Sequence, residues 1–171
     1  MDTQITDQAG VGDQGRSYST AWGDYDGDGL IDLFVTYIDR PDVLYRNKGG
    51  EVFAEVSHQA SMPDAEGSAA EGAVWGDYDN DGDVDLYVAN GCEPDPDFPS
   101  FFYRNNGDGT FTEVAKQTGL FSIGQTEATA WADDDKDGSI DLYVGVLCAG
   151  NLLYRNNGDG TFTEVGAAAG V

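Results

Sequence analysis

Short runs of alternating apolar and polar residues recur along the chain, and glycine, asparagine and aspartate stand at their ends. A run rich in small residues, such as 18–22, comes first, and an apolar run, such as 31–37, follows it. A period of two with such boundaries is typical of β-strands, and the Asn-Gly-Asp-Gly segments between runs are good hairpin connectors. No segment of helical length shows an amphipathic period of 3.6 residues. The pattern therefore predicts an all-β chain.

This run pattern occurs three times, which indicates a repeat protein. Each unit holds a small-residue strand, a strand apolar on both faces, a strand ending in Tyr-Arg-Asn, and a short strand after a glycine-rich turn. In unit order, the first strands are predicted at 18–22, 71–75 and 127–131, the second at 31–37, 84–89 and 140–146, the third at 44–47, 102–105 and 153–156, and the fourth at 52–56, 110–114 and 161–165. Four-stranded units of about 40–50 residues are typical of β-propeller blades, and stacked blades cover the second strand on both faces. We therefore predict a β-propeller of four-stranded antiparallel blades, three per chain.

We interpret the chain as a single repeat domain, 1–171, with approximate units 12–61, 62–119 and 120–171. Residues 1–11 align with the ends of units two and three, so we expect them to complete the last blade of a neighbouring unit or chain. Propellers usually close with roughly four to eight blades, and three blades alone would leave two apolar faces in water. Either the chain is a piece of a longer protein, or two copies associate head-to-tail. Ring closure favours the second interpretation, a homodimer that forms a six-bladed ring.

An acidic turn with the pattern Asp-x-Asp-x-Asp-Gly-x-x-Asp joins the first and second strands of every unit. Carboxylates at every second residue of a tight turn repel one another unless a cation lies between them. Ca²⁺ takes roughly six to eight oxygens; positions 1, 3, 5 and 9 offer carboxylates, and position 7 offers its backbone carbonyl. The predicted ligands are Asp24, Asp26, Asp28, the carbonyl of Leu30 and Asp32 in the first turn, Asp77, Asp79, Asp81, the carbonyl of Asp83 and Asp85 in the second, and Asp133, Asp135, Asp137, the carbonyl of Ser139 and Asp141 in the third. The sequence thus predicts one structural Ca²⁺ per turn, about three per chain.

Other interpretations of the acidic turns fit less well. An EF-hand loop needs a glutamate at position 12, where this chain has Val35, Val88 and Val144, and it needs flanking helices. Zinc prefers nitrogen and sulfur ligands, and the chain has one histidine. A metal-free acidic turn would require four crowded carboxylates to occur three times without a cation.

Composition narrows the classes of partner. The 171 residues carry a formal net charge of −24, which repels nucleic acid and anionic lipid. Since no run of about 18 apolar residues exists, we expect no membrane insertion. A protein or glycan ligand remains compatible with this charge.

A few residues outside the turns deserve an interpretation of their own. Cys92 and Cys148 occupy equivalent places in neighbouring units, which are usually too far apart for a disulfide, so we favour free thiols and leave the bridge open. His58 is expected at the surface. The Tyr-Arg-Asn triplets recur too regularly to form one active site, and we expect them to pack and hydrogen-bond between blades. The acidic, proline-containing loop 90–101 is longer than its equivalents and is the best candidate for contacting a partner.

The acidic turn, followed by Leu-Tyr-Val and then by Tyr-Arg-Asn-Asn-Gly-Asp-Gly-Thr-Phe, resembles FG-GAP/VCBS repeats. Such repeats form the propellers of integrin alpha subunits and of many secreted bacterial and fungal proteins. The resemblance implies a Ca²⁺ site in each blade and a secreted location, extracellular or periplasmic. Gly50 and Glu51 replace the Asp-Gly pair of the second motif in unit one, so we expect that hairpin to differ in shape.

Three functions follow from this resemblance. The first is a non-enzymatic binding or adhesion-type module with structural Ca²⁺, including a lectin-like form that holds glycans between blades. The second is part of a polysaccharide-processing enzyme, although no nucleophile–base pair stands outside the repeats. The third is a purely structural, self-assembling propeller fragment. A glycan array with and without Ca²⁺ separates the first from the third, and turnover of an acidic polysaccharide would support the second.

Overall fold

A computed structural model describes residues 6–12, 15–62, 70–91, 99–122, 124–147 and 149–171 of the chain. Cys92, Cys148 and residues 92–98 of the long loop lie outside the described residues. The disulfide question and the contact role of the loop therefore stay predictions.

The described residues contain three four-stranded antiparallel sheets, and in each sheet the strands follow the order of the sequence. The first blade consists of β1 (Ser17–Gly23), β2 (Asp32–Tyr37), β3 (Val43–Asn47) and β4 (Phe53–Glu55). The second consists of β5 (Ala70–Gly76), β6 (Asp85–Asn90), β7 (Phe101–Asn105) and β8 (Phe111–Glu113). The third consists of β9 (Thr126–Ala132), β10 (Asp141–Val146), β11 (Leu152–Asn156) and β12 (Phe162–Glu164). The all-β prediction is confirmed, and the three sheets are propeller-like blades.

The blades stack through the apolar second and third strands. β1 contacts β5, and β5 contacts β9, so the small-residue strands lie side by side. One apolar cluster joins the first two blades and includes Phe34, Leu86 and Tyr103; a second joins the last two blades. Every residue of β6 is buried. A strand apolar on both faces is thus covered on both sides, as its sequence requires.

A tryptophan from each following blade lies against a glycine of the preceding one. A Cβ atom at Gly23 would lie 2.9 Å from Cδ1 of Trp75, and one at Gly76 would lie 2.7 Å from Cδ1 of Trp131. Both glycines are therefore required by the close approach of an indole ring. The equivalent residue of the third blade is Ala132.

The outer face of the first blade differs from the sequence expectation. Leu33, Val35 and Tyr45, on the outer face of the first blade, are buried, and Val11 packs against their cluster. The expectation that this face is bare was therefore wrong in part, because the segment before β1 lies over it. Trp22 is still 58% exposed. No contact in the structure tests ring closure by a second copy or the unit boundaries, and both stay predictions.

The part of the chain that the structure describes also contains three single-turn helices, which the sequence did not predict and which lie outside the sheets. They are α1 (Thr6–Ala9), α2 (Ala115–Thr118) and α3 (Gly166–Ala169). The last two end at glycines with positive φ, which bond back to the first residue of the helix. Four residues are too few to show a helical period, so pattern analysis could not find them. No helix among the described residues has the length and apolar character needed to span a membrane.

Candidate metal centre

Each acidic turn is folded by its own carboxylates. In the first turn, Asp24 Oδ1 accepts a hydrogen bond from the Asp28 N–H at 3.1 Å, and Asp24 Oδ2 accepts one from the Gly29 N–H at 2.9 Å. Gly29 has a φ of 86°, and the equivalent Gly82 and Gly138 have φ values of 97° and 95°. The sharp bend predicted at position 6 is present, and it requires a residue without a Cβ.

The last aspartate of each turn is the first residue of the second strand and is buried. Asp32 Oδ2 accepts a hydrogen bond from the Tyr25 N–H at 3.1 Å, and its Oδ1 accepts one from the Asn47 N–H at 2.7 Å. The same two bonds hold Asp85 and Asp141 in the other blades. This carboxylate thus ties the turn to the third strand of the same blade.

Three carboxylates converge in every turn. Positions 1, 3 and 9 each contribute an oxygen, and the three oxygens lie within 4.8 Å of one another. The groups are Asp24, Asp26 and Asp32; Asp77, Asp79 and Asp85; and Asp133, Asp135 and Asp141. An all-oxygen set of carboxylates suits a hard cation such as Ca²⁺. The residues present therefore fit the ion that the repeat implies.

The position-5 carboxylates stand outside these groups. Asp28 Oδ1 accepts a hydrogen bond from the Leu30 N–H at 2.9 Å, and this bond is the main cause of the lowered pKa of Asp28. Asp81 and Asp137 accept from the N–H groups of Asp83 and Ser139 in the same way. The ligand role of position 5 and of the position-7 carbonyls stays a prediction.

Burial acts against the ionised form of the clustered carboxylates. In the second turn, burial raises the pKa of Asp85 to about 7, although the Asn105 and Tyr78 N–H groups oppose it, and the charge of Asp79 adds to the rise. Burial likewise raises the pKa of Asp32 and of Asp141. A bound divalent cation would stabilise the ionised carboxylates and offset the free-energy cost of burying their charges.

The arginines and the asparagines of the Tyr-Arg-Asn triplets make contacts with different blades. The Arg46 guanidinium pairs with Asp26 and Asp28 of its own turn, and Arg155 Nε lies 3.2 Å from Asp135 Oδ2. The expectation of bonds between blades is therefore wrong for these arginines. It is confirmed for Asn105 and Asn156, whose side-chain amides donate to turns of the preceding blade.

Two polar clefts lie between neighbouring blades at equivalent places. The first, of about 760 Å³, is lined by residues that include Asp26, Arg46, Gln59 and Asp108. The second, of about 460 Å³, is lined by residues that include the equivalent Asp79, Arg104, Gln117 and Asp159. His58 is exposed, as predicted.

Three propeller-like blades, each with an acidic turn that gathers carboxylates, define a blade-repeat protein with candidate cation sites. A model of the FG-GAP-like repeat matches residues 24–88, which run from the first acidic turn into the strand after the second. The resemblance inferred from the sequence is thus confirmed over this segment.

A curated relative matches a similar length of chain. A segment of 71 residues, 39% of this chain, is 32% identical to Cartilage acidic protein 1 of Xenopus tropicalis. The match spans 11% of that protein. The similarity therefore concerns the repeat and not the whole relative.

Proposed function

We propose that the protein is a calcium-binding propeller repeat module, with one structural Ca²⁺ in each acidic turn. The convergence of three carboxylate oxygens within 4.8 Å in all three turns carries this proposal. The further ligands would be Asp28, Asp81 and Asp137 and the carbonyls of Leu30, Asp83 and Ser139. When bound, the ion supplies charge compensation and fixes the turn between the first and second strands.

The expected contribution to stability is large. An ion that binds only the folded state stabilises it by about 2.7 kcal/mol when its free concentration is about 100 times Kd. Three independent sites would add roughly 8 kcal/mol, which is comparable with the stability of a whole domain. Excess EGTA should therefore lower the melting temperature strongly.

Calorimetric titration of the chelated protein with Ca²⁺ tests the proposal. We expect three ions per chain, and one fewer for each of the variants Asp26→Asn, Asp79→Asn and Asp135→Asn. Glu127→Gln removes one charge from an exposed residue outside the turns and is the matched control. An unchanged melting curve in EGTA, together with no heat of binding, would refute the proposal.

We further propose that the module acts outside the cell by binding a partner and not by catalysis. The extracellular setting rests on the FG-GAP-like match at residues 24–88 and on the similarity to Cartilage acidic protein 1. The two polar clefts between blades favour a lectin-like variant of this function, because each offers paired donors and acceptors in a space of several hundred Å³. Calcium-dependent signals on a glycan array would support that variant.

A further inference from the structure

The acidic turns of the first two blades are each held by an asparagine from the next blade. Asn105 Nδ2 donates to the backbone oxygen of Tyr25 at 2.7 Å, and Asn156 Nδ2 donates to that of Tyr78 at 2.8 Å. Both asparagines are buried. The first bond joins residues 80 positions apart in the chain, and the second joins residues 78 positions apart.

The accepting carbonyl belongs to a residue that is directly linked to the candidate cation site. Tyr25 lies between Asp24 and Asp26 in the sequence, and its N–H donates to Asp32. The three carboxylates that converge in the first turn therefore belong to its two chain neighbours and to its hydrogen-bond partner. A hydrogen bond to the Tyr25 carbonyl fixes the peptide that carries Asp26. Outer partners of this kind orient metal ligands and commonly change metal affinity by about 10–100-fold.

The third turn lacks this bond. Among the described residues, no side-chain amide donates to the carbonyl of Asp134, which is the equivalent of Tyr25. Asp133 and Asp135 are both exposed, whereas Asp24 and Asp26 are half-buried in the first turn and Asp77 is half-buried in the second. In the first blade it is the donor that has no partner in another blade. Asn47, the equivalent of Asn105, donates to Ile31 of its own blade and to no other blade within the described part of the chain.

We infer that Asn105 and Asn156 are positioning residues for Ca²⁺ in the preceding blade, so that blade stacking and ion binding are coupled. This inference rests on the proposed calcium function. Each ion in the first two turns requires the following blade for full affinity, and the third turn is the weakest site in a single chain. Calcium therefore strengthens the contacts between blades as well as the turns themselves.

The test isolates the first turn. In a chain carrying Asp79→Asn and Asp135→Asn, only that turn keeps its full set of carboxylates. Adding Asn105→Ala should weaken Ca²⁺ binding at this turn about tenfold. Adding Asn156→Ala should leave it unchanged, because that amide makes the same kinds of bonds but reaches the second turn.

Calorimetry with Ca²⁺ alone measures the affinities, and circular dichroism verifies that the variants fold. If Asn105→Ala does not fold, Asn105→Asp replaces it and Asn156→Asp is its control. Each keeps the oxygen that accepts from the Gly107 or Gly158 N–H, exchanges the amide donor for an oxygen, and adds the same negative charge when ionised. Amide hydrogen exchange provides a second measurement. In the calcium-loaded protein, the first turn should exchange faster in the Asn105 variant than in the Asn156 variant.

The outcomes separate the two proposals. If the natural chain binds three ions and the Asn105 and Asn156 variants bind equally well at the first turn, the inference is wrong and the calcium function stands. If the natural chain binds no Ca²⁺, both are wrong. A tenfold loss confined to the Asn105 variant supports both.

Discussion

Asp42 offers a pH-dependent test of the packing in the first blade. Its Oδ1 accepts a hydrogen bond from the Tyr37 N–H at 2.9 Å, in the turn between β2 and β3. Burial raises the pKa of this carboxyl to about 7, although the Tyr37 bond opposes the rise. In the third blade, Asn151 Oδ1 accepts from the Val146 N–H at 3.1 Å in the equivalent turn. The substitution Asp42→Asn therefore introduces a residue that the fold already uses in this role.

The sign and size of the effect follow from linkage. The pKa of Asp42 is higher in the folded chain than its ordinary value of 3.8. Its contribution to the free energy of unfolding is therefore fully present below about pH 4 and is lost as the pH rises through about 7. The two pKa values differ by about three, and each unit corresponds to about 1.36 kcal/mol, so the full loss is about 4 kcal/mol. Between pH 5 and pH 8 the loss is about 2–3 kcal/mol.

The assay is urea unfolding of the natural chain and of Asp42→Asn at several pH values between 5 and 8, each at saturating Ca²⁺. The free energy of unfolding of the variant should exceed that of the natural chain by an amount that grows with pH. Subtraction of the two curves removes the pH dependence that the two chains share. Parallel curves would refute the assignment of a raised pKa, and a uniformly less stable variant would refute the equivalence with Asn151.

The remaining predictions concern the contacts between blades. Gly76→Ala places a Cβ 2.7 Å from the Trp131 ring and should lower the free energy of unfolding by about 1–3 kcal/mol, whereas Gly150→Ala meets no atom within 4 Å and should change little in the same urea measurement. Equal stabilities of the two variants would show that this contact is not tight. If two chains close a six-bladed ring, the exposed Trp22 of one copy meets Ala132 of the other. Ala132→Gly and Asp134→Tyr give the third blade the glycine and the tyrosine that the first two blades have at these places. The double variant should therefore associate more tightly than the natural chain. Sedimentation over a range of concentrations measures this, and identical dissociation constants would argue against the ring.

Local chemistry determined much of this protein from sequence alone. Strands, hairpins and acidic turns depend on residues a few positions apart, so period-two alternation and the position-6 glycines could be interpreted without a structure. The twelve strands lie within a few residues of their predicted places. Convergence of the position 1, 3 and 9 carboxylates also follows from the turn itself.

The contacts between blades, and the burial that these contacts produce, were determined only by the tertiary structure. The bond from Asn105 to Tyr25 spans 80 residues, and the Tyr-Arg-Asn triplet gives no sign that its arginine stays in its own blade while its asparagine crosses to the next. The raised pKa of Asp42 and the burial of Leu33 beneath the segment that contains Val11 likewise depend on which distant segments lie above them. Desolvation and contact across blades are properties of the packed assembly of sheets, and no local pattern encodes them.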